Sequence, residues 1–265
     1  MMRGKFGHTY LRRAALVAAG LFSVTSASAA SNSATTVVID AGHGGYDRGG
    51  IPRQRIAEKE MTLDVAQRLK RVLTADGYRV VMTRESDVFV PLGTRVAIAN
   101  SYRKAIFVCI HFNSATRVGA DGIETYFYGR DSLPLASAVH YFVARGAPSP
   151  NRGVRRRGYY VLRKTRVPAV LVECGFLTNP TEAAYILRSS YRQKLAEEIA
   201  AGVRDRLTGV ATIPSQPYID QTRVSSSKRS RSKHSRKKRS KSSKKKKSTK
   251  STGSGASVTS EKQEA

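Results

Sequence analysis

Three short stretches of the sequence set an ionisable or metal-binding side chain at the end of an apolar run. Asp40-Ala41-Gly42-His43-Gly44-Gly45 follows Val37-Val38-Ile39; His111 closes the run that begins at Ala105 and precedes Phe112-Asn113; Glu173 follows Val170-Leu171-Val172 and precedes Cys174-Gly175-Phe176. Open α/β sheets gather ligands just outside the carboxyl ends of their strands. If these runs are strands of one sheet, the three stretches converge. Each also has a plainer reading. His43 between glycines could be a turn residue in a backbone that only glycine makes easily. A polar ring at the edge of a buried strand could be satisfied by a backbone carbonyl. Glu173, after a wholly apolar run, needs a cation, a metal-bound water or a cleft.

Taken together, two imidazoles and a carboxylate match catalytic zinc, which takes three protein ligands and leaves a fourth position for water. Residue chemistry leaves the third ligand open. Glu173 could serve; if it is kept as a base, Glu58 and Glu60 are candidates at the start of the first long helix, where acids are also favoured by the helix dipole. Cys109 is a rival, two residues before His111 and so on the same strand face, although it lies inside an apolar run. His140, beside Tyr141 in an expected helix, reads as a half-exposed helix residue.

The elements that must position these groups alternate between strand and helix, the pattern of an α/β domain. Residues 36–40, 78–82, 105–110, 123–128, 159–162 and 169–172 are short runs rich in Val, Ile, Phe or Tyr. The runs at Val37, Ile106 and Val170 are almost continuously apolar, as central strands covered on both faces are. Met61, Val65, Leu69 and Val72 recur at helical spacing, with Asp76-Gly77 as a stop. Further helices are expected over 92–102, 133–145 and 191–207.

The ends differ from this middle. Arg3, Lys5, Arg12 and Arg13 precede an apolar run over 14–24 and then Ala27-Ser28-Ala29, the order of a secretory signal peptide over 1–29; the run is well short of the roughly twenty residues a membrane span needs. The formal net charge is +28: +4 lies before Ala30, +10 from there to Thr222 (27 basic, 17 acidic) and +14 beyond. We therefore expect a folded domain over 30–212 and a disordered Ser/Lys/Arg-rich tail over 213–265. Such a charge points to an anionic partner. For an exported chain that is an anionic wall polymer or membrane surface and not nucleic acid. Cys109 and Cys174 are too few for a disulfide framework and read as small buried residues.

Val37 to Gly45, Glu58-Lys59-Glu60 before a helix, Ile110-His111-Phe112-Asn113, and Pro168 to Asn179, with the Thr83-Arg84 turn between the second and third, together resemble the zinc-dependent N-acetylmuramoyl-L-alanine amidases of the amidase 3 family. The resemblance implies a single α/β domain with a mixed, mostly parallel six-stranded sheet flanked by helices. It implies His43, Glu58 and His111 as zinc ligands and Glu173 as the catalytic glutamate. It implies peptidoglycan as substrate, cut at the amide between N-acetylmuramic acid and L-alanine; the signal peptide places the chain in the periplasm or cell envelope, and a monomer is expected. Residue chemistry alone says amide hydrolysis, and leaves open a zinc peptidase cutting within the stem peptide or a non-catalytic wall-binding module. Ala41 and Cys109 replace the family's usual Pro and Ser and are expected to affect packing only. Arg152, Arg155, Arg156 and Arg157 could grip stem-peptide carboxylates by paired hydrogen bonds, or form a solvated basic loop.

Overall fold

A computed structural model of the chain describes residue 1, residues 35–117 and 119–209, residue 213 and residues 215–222. The expected signal peptide and the tail beyond Thr222 lie outside the described residues. The elements run β1 (Thr36–Ala41), α1 (Glu58–Ala75), β2 (Arg79–Met82), α2 (Leu92–Asn100), β3 (Ala105–Asn113), β4 (Ile123–Phe127), a 3-10 turn (Arg130–Ser132), α3 (Leu133–Gly146), β5 (Asn151–Arg156), α4 (Tyr160–Lys164), β6 (Ala169–Phe176), α5 (Pro180–Ile186), α6 (Ser189–Thr208) and β7 (Tyr218–Asp220). They form one sheet in the order β2-β1-β3-β6-β4-β5-β7. All neighbours are parallel except β4 and β6.

Every residue of β1 and β6 is buried, because helices cover both faces of the sheet. On one face Val65, Leu69 and Leu73 of α1, Leu135 and Val139 of α3, and Leu195, Ile199 and Val203 of α6 meet Val37, Ile39, Ile106, Val108 and Val172. On the other, Val96 and Ala99 of α2 and Val161 and Leu162 of α4 meet Val38, Phe107, Cys109 and Leu171. Alternation along each strand therefore sends Cys109, His111, Leu171 and Glu173 towards the second, thinner layer. That layer consists of two short helices, and it leaves room at the strand ends for a cleft.

The architecture is the expected α/β one, with differences at four elements. The run 159–162 is not a strand. Its adjacent apolar residues Val161 and Leu162 both pack inward from the single turn of α4, and a four-residue apolar run does not by its pattern distinguish strand from helix. The neighbouring basic stretch, for which no strand was expected, is strand β5, whose only fully buried side chain is Val154. Finally, the sheet has seven strands, and the seventh lies past residue 212 in the stretch expected to be disordered. β7 adds to the edge of β5 with Arg156 opposite Asp220, the Tyr218 ring meets Phe127 edge-on at 5.1 Å, and Arg156 pairs with Asp220 at 3.5 Å. Helix α5 was also not foreseen. Asn179 caps it by accepting from the Thr181 and Glu182 amides.

Helices α3 and α6 approach most closely at Gly202, where an added Cβ would stand 2.4 Å from the Val139 Cα. Gly→Ala in a helix ordinarily gains up to about 1 kcal/mol. Here the sign reverses: Gly202→Ala is expected to lower stability by about 1–3 kcal/mol through overpacking, measured as a fall in the urea midpoint without a change in slope.

Candidate metal centre

Glu58 opens α1 and is 1% exposed, an expensive position for a carboxylate unless it is fully partnered. Its Oε1 accepts from the Phe112 amide at 2.9 Å and lies 2.9 Å from His111 Nδ1. Its Oε2 lies 3.2 Å from His43 Nε2. The two imidazoles meet at 4.8 Å between centroids, nearly perpendicular, and one donor atom from each of His43, Glu58 and His111 falls within 4.8 Å of the others. His43 Nδ1 is 2.8 Å from Asp47 Oδ2. This contact leaves Nε2 facing the trio and fixes the ring, as carboxylates behind ligating histidines do.

The electrostatics of this cluster ask for positive charge. Burial works against a charged His43, but the Glu58 carboxylate and the hydrogen bond to Asp47 outweigh it and push the imidazole up to about 10. Burial also opposes charge on Glu58, yet His43 and His111 hold its carboxyl far below the ordinary range. A divalent cation placed between two nitrogens and an oxygen supplies that charge, and this donor set suits zinc.

Glycines clear the space. A Cβ on Gly42 would lie 2.3 Å from His111 Nε2, and one on Gly49, at φ +70°, would lie 2.6 Å from the His43 ring and 2.7 Å from Glu58. His43 itself has φ 61°, a left-handed conformation that costs a non-glycine residue energy and tends to mark functional sites. Two buried arginines hold the loop in place. Arg84 donates to the carbonyls of Ala41 at 2.9 Å, Gly42 at 2.8 Å and Lys59 at 2.9 Å. Arg95 donates to those of Ala41, His43 and Val90. Its charge is balanced by Asp40 at 2.7 Å, which also accepts from Thr83 at 2.5 Å and from the Cys109 thiol at 3.1 Å.

Glu173 lies directly opposite His111 across the β3–β6 ladder, so both side chains leave the same face of the sheet at adjacent strands. Glu124 of β4 is its register partner on the other side. Arg152 and the Tyr126 hydroxyl donate to Glu124, and Arg155 Nε is 3.2 Å from it. A cleft of about 230 Å³ reaches the centre between the strand ends and the thin layer, bordered by His43, His111, Phe89, Arg95 and Val161.

Of the residues singled out from the sequence, His43, Glu58, His111 and Glu173 come together. Glu60 is exposed, two residues past Glu58 on the opposite side of α1. Cys109 points to the same layer as His111, but burial and Asp40 push its thiol well up, so it is a neutral donor to Asp40. Its role goes beyond the packing expected of it. His140 is not half-exposed: it is 2% exposed and bridges Thr125 and Asn151 at 3.1 and 2.8 Å. Both cysteines are buried and free. The roles of Asp47, Arg84 and Arg95 were not foreseen, although Arg84 lies in the Thr83-Arg84 turn noted above. The signals were slight: an acid four residues after His43, and arginines after β2 and within α2.

A mostly parallel sheet that gathers two imidazoles and a buried carboxylate beside a further carboxylate offers the donor set of a mononuclear metal site in a hydrolase. Residues 37–205 match the model of the N-acetylmuramoyl-L-alanine amidase family. The chain is 37% identical over 172 residues to the uncharacterized protein YqiI of Bacillus subtilis, covering 63% of this chain and 82% of that one. It is 35% identical over 171 residues to the probable cell wall amidase LytH of Staphylococcus aureus, covering 64% of this chain and 57% of LytH. The catalytic domain of CwlV, an N-acetylmuramoyl-L-alanine amidase from Bacillus (Paenibacillus) polymyxa var. colistinus, superposes with a TM-score of 0.63 at 36% identity over 66% of this chain and 98% of that domain. The chain belongs to the amidase 3 family of N-acetylmuramoyl-L-alanine amidases, and with it to the hydrolases that act on peptidoglycan.

The Asp40–Arg95 pair under the loop gives a pH signature. Burial raises the Asp40 carboxyl, but Arg95, Thr83 and Cys109 outweigh it, and the folded-state value lies below the usual 3.8. A depressed carboxylate stabilises the fold above its unfolded value and loses that contribution as pH falls through the folded value. Asp40→Asn should therefore cost about 3–5 kcal/mol near neutral pH by leaving Arg95 buried and unbalanced. The gap from the parent should narrow as pH drops below 3.8, read from denaturant unfolding at a series of pH values.

Proposed function

We propose that the chain acts as an exported, zinc-dependent amidase that hydrolyses the amide joining the lactyl group of N-acetylmuramic acid to the L-alanine of the stem peptide. The observation that carries this reading is the meeting of His43, Glu58 and His111 within 4.8 Å, with Glu173 opposite His111 on the adjacent strand. In this reading His43, Glu58 and His111 hold the metal and Glu173 is the general base and acid. Zinc, when bound, supplies a Lewis acid that activates water and polarises the scissile carbonyl.

The protein groups do the rest. Asp47 keeps the His43 ring turned so that Nε2 is the donor. Arg84 and Arg95 keep the loop carrying that ring from relaxing. The Glu173 carboxylate takes a proton from the attacking water and returns it to the nitrogen of the departing amine, a contribution of about 10² to 10⁴ in rate. Arg152 and Arg155 neutralise Glu124, so that Glu173 does not face a second uncompensated carboxylate.

The Ser/Lys/Arg segment beyond Thr222, with 16 basic and 2 acidic residues, serves in this reading as a tether to an anionic wall polymer or membrane surface, each basic residue adding up to about 1 kcal/mol near such a surface.

Glu173→Gln is expected to bind zinc normally while losing release of intact stem peptides from purified sacculi, whereas His43→Ala and Glu58→Ala should lose the metal itself. Metal content by mass spectrometry and product masses check both halves. Normal hydrolysis by Glu173→Gln would refute the assigned chemistry, and fragments cut within the peptide would make the chain a peptidase. Removal of residues 223–265 should weaken retention on isolated walls at low salt more than it slows zinc-dependent turnover, measured by co-sedimentation across a salt series.

A further inference from the structure

Beside the metal cleft the rings of Tyr46 and Phe89 stack, with centroids 4.3 Å apart and planes 29° apart. Tyr46 is 79% exposed and Phe89 39%, with Val88 next to them also exposed. None of the three belongs to either hydrophobic core, so folding does not account for them. Contiguous exposed apolar surface of this kind marks binding sites.

Both rings are tied to the metal centre. Tyr46 follows His43 by three residues in the same glycine loop, and Phe89 borders the cleft that His43 and His111 line. From Phe89 the apolar wall continues inward through Val90, Leu92 and Val161. The two loops that carry the rings are clamped together. The Gly45 amide donates to Asp87 Oδ1 at 2.8 Å, and Lys59 Nζ reaches the Gly45 carbonyl at 2.8 Å and Asp87 Oδ2 at 2.5 Å. Gly45, at φ +60°, passes so near Phe89 that a Cβ would stand 2.7 Å from its amide nitrogen. The aromatic surface is therefore presented in a set orientation, and little ordering remains to be paid on binding.

A broad aromatic face with the Asp47 and Asp87 carboxylates at its border suits a ring with an apolar C–H face and polar edges. An amino-sugar pyranose is such a ring. A protein partner would more typically bury aromatic anchors in well-packed pockets, and this patch is open. The two sides of the site also differ. Tyr46 and Phe89 come from loops after β1 and β2, whereas the cationic strand β5 lies beyond β6 and β4 in the sheet order. A substrate whose scissile amide joins a sugar to a peptide must cross the metal centre with its sugar to one side. The aromatic side is the one whose chemistry matches it.

We propose that Tyr46 and Phe89 form the subsite for an amino-sugar ring of the glycan strand, a specificity element that rests on the amidase reading above. The test uses the full chain and peptide-free oligosaccharides of alternating N-acetylglucosamine and N-acetylmuramic acid, titrated into the parent, Tyr46→Ala, Phe89→Ala and Tyr46→Phe. Both alanine variants should bind about tenfold more weakly, the scale of one aromatic contact, and Tyr46→Phe should bind as the parent does. The KM for stem-peptide release should rise to match in the alanine variants, with kcat and zinc content held. Equal oligosaccharide affinity in the parent and Tyr46→Ala, or none in the parent, would overturn the proposal and leave the pair as a contact for another protein. A parent that binds the oligosaccharide but releases no stem peptide would sink the amidase reading alone. A parent that releases stem peptide with a KM indifferent to Tyr46→Ala would sink the subsite alone.

Discussion

A carboxylate buried at the first turn of a helix is the constraint around which this domain is assembled. Glu58 is almost wholly removed from water, and a charge in that position is tolerated only while its partners stay put. Those partners come from two separate parts of the chain: His43 from the loop after β1, and the His111 ring and Phe112 amide from the end of β3. The parallel pairing of β1 with β3, which sets Ala41 against Ile110, brings both imidazoles to one end of the sheet. The long amphipathic helix α1 can bury Val65, Leu69 and Leu73 only in an orientation that also delivers Glu58 there. Core packing and site assembly are thus one event.

The loop that carries His43 is the costly part. Its backbone is left-handed at His43, Gly44, Gly45, Gly49 and Gly50, and its inward carbonyls have left the strand ladder, where buried acceptors must still find donors. Arg84 and Arg95 supply them. A guanidinium carries five donors in a rigid fork, so two side chains can hold the Ala41, Gly42 and His43 carbonyls at once. One of these charges then needs an anion, and Asp40 provides it. An acid three residues before His43 could be mistaken for a metal ligand; here it serves the arginine that holds the histidine.

Much of this could be read from the chain because it leaves local traces. Apolar runs marked β1, β3 and β6, helical spacing marked α1, and the glycines around His43 marked a turn that a side chain would obstruct. The choice of Glu58 over Glu60 could not be made from residue chemistry, since both suit a helix start; two residues turn the side chain by about 200° around the helix axis, and only packing against the sheet decides which faces inward. Strand β5 was hidden for a related reason. Arg152, Arg155 and Arg156 look solvated in sequence, and become strand residues because Glu124, the Tyr128 carbonyl and Asp220 meet their guanidiniums. The burial of His140 likewise depends on Thr125 and Asn151, neither adjacent to it in the chain. β7 followed a break in composition, and its pairing with β5 is a long-range contact with no local mark.

The arginines of β5 also bear on the charge around Glu173. Glu173 sits in register between His111 on one neighbouring strand and Glu124 on the other. Two carboxylates side by side would each repel the other's charge. The chain counters this on the Glu124 side with Arg152, Arg155 and the Tyr126 hydroxyl. The neighbouring phenols stay protonated as well: burial and the Glu173 charge both push Tyr159 up. A basic strip beside Glu124 invites the view that it reads the substrate. In this domain two of its four arginines are committed to an internal carboxylate and a third to the β7 edge, so the strip first sets the charge around Glu173, and any reading of the peptide falls to donors these pairs leave over.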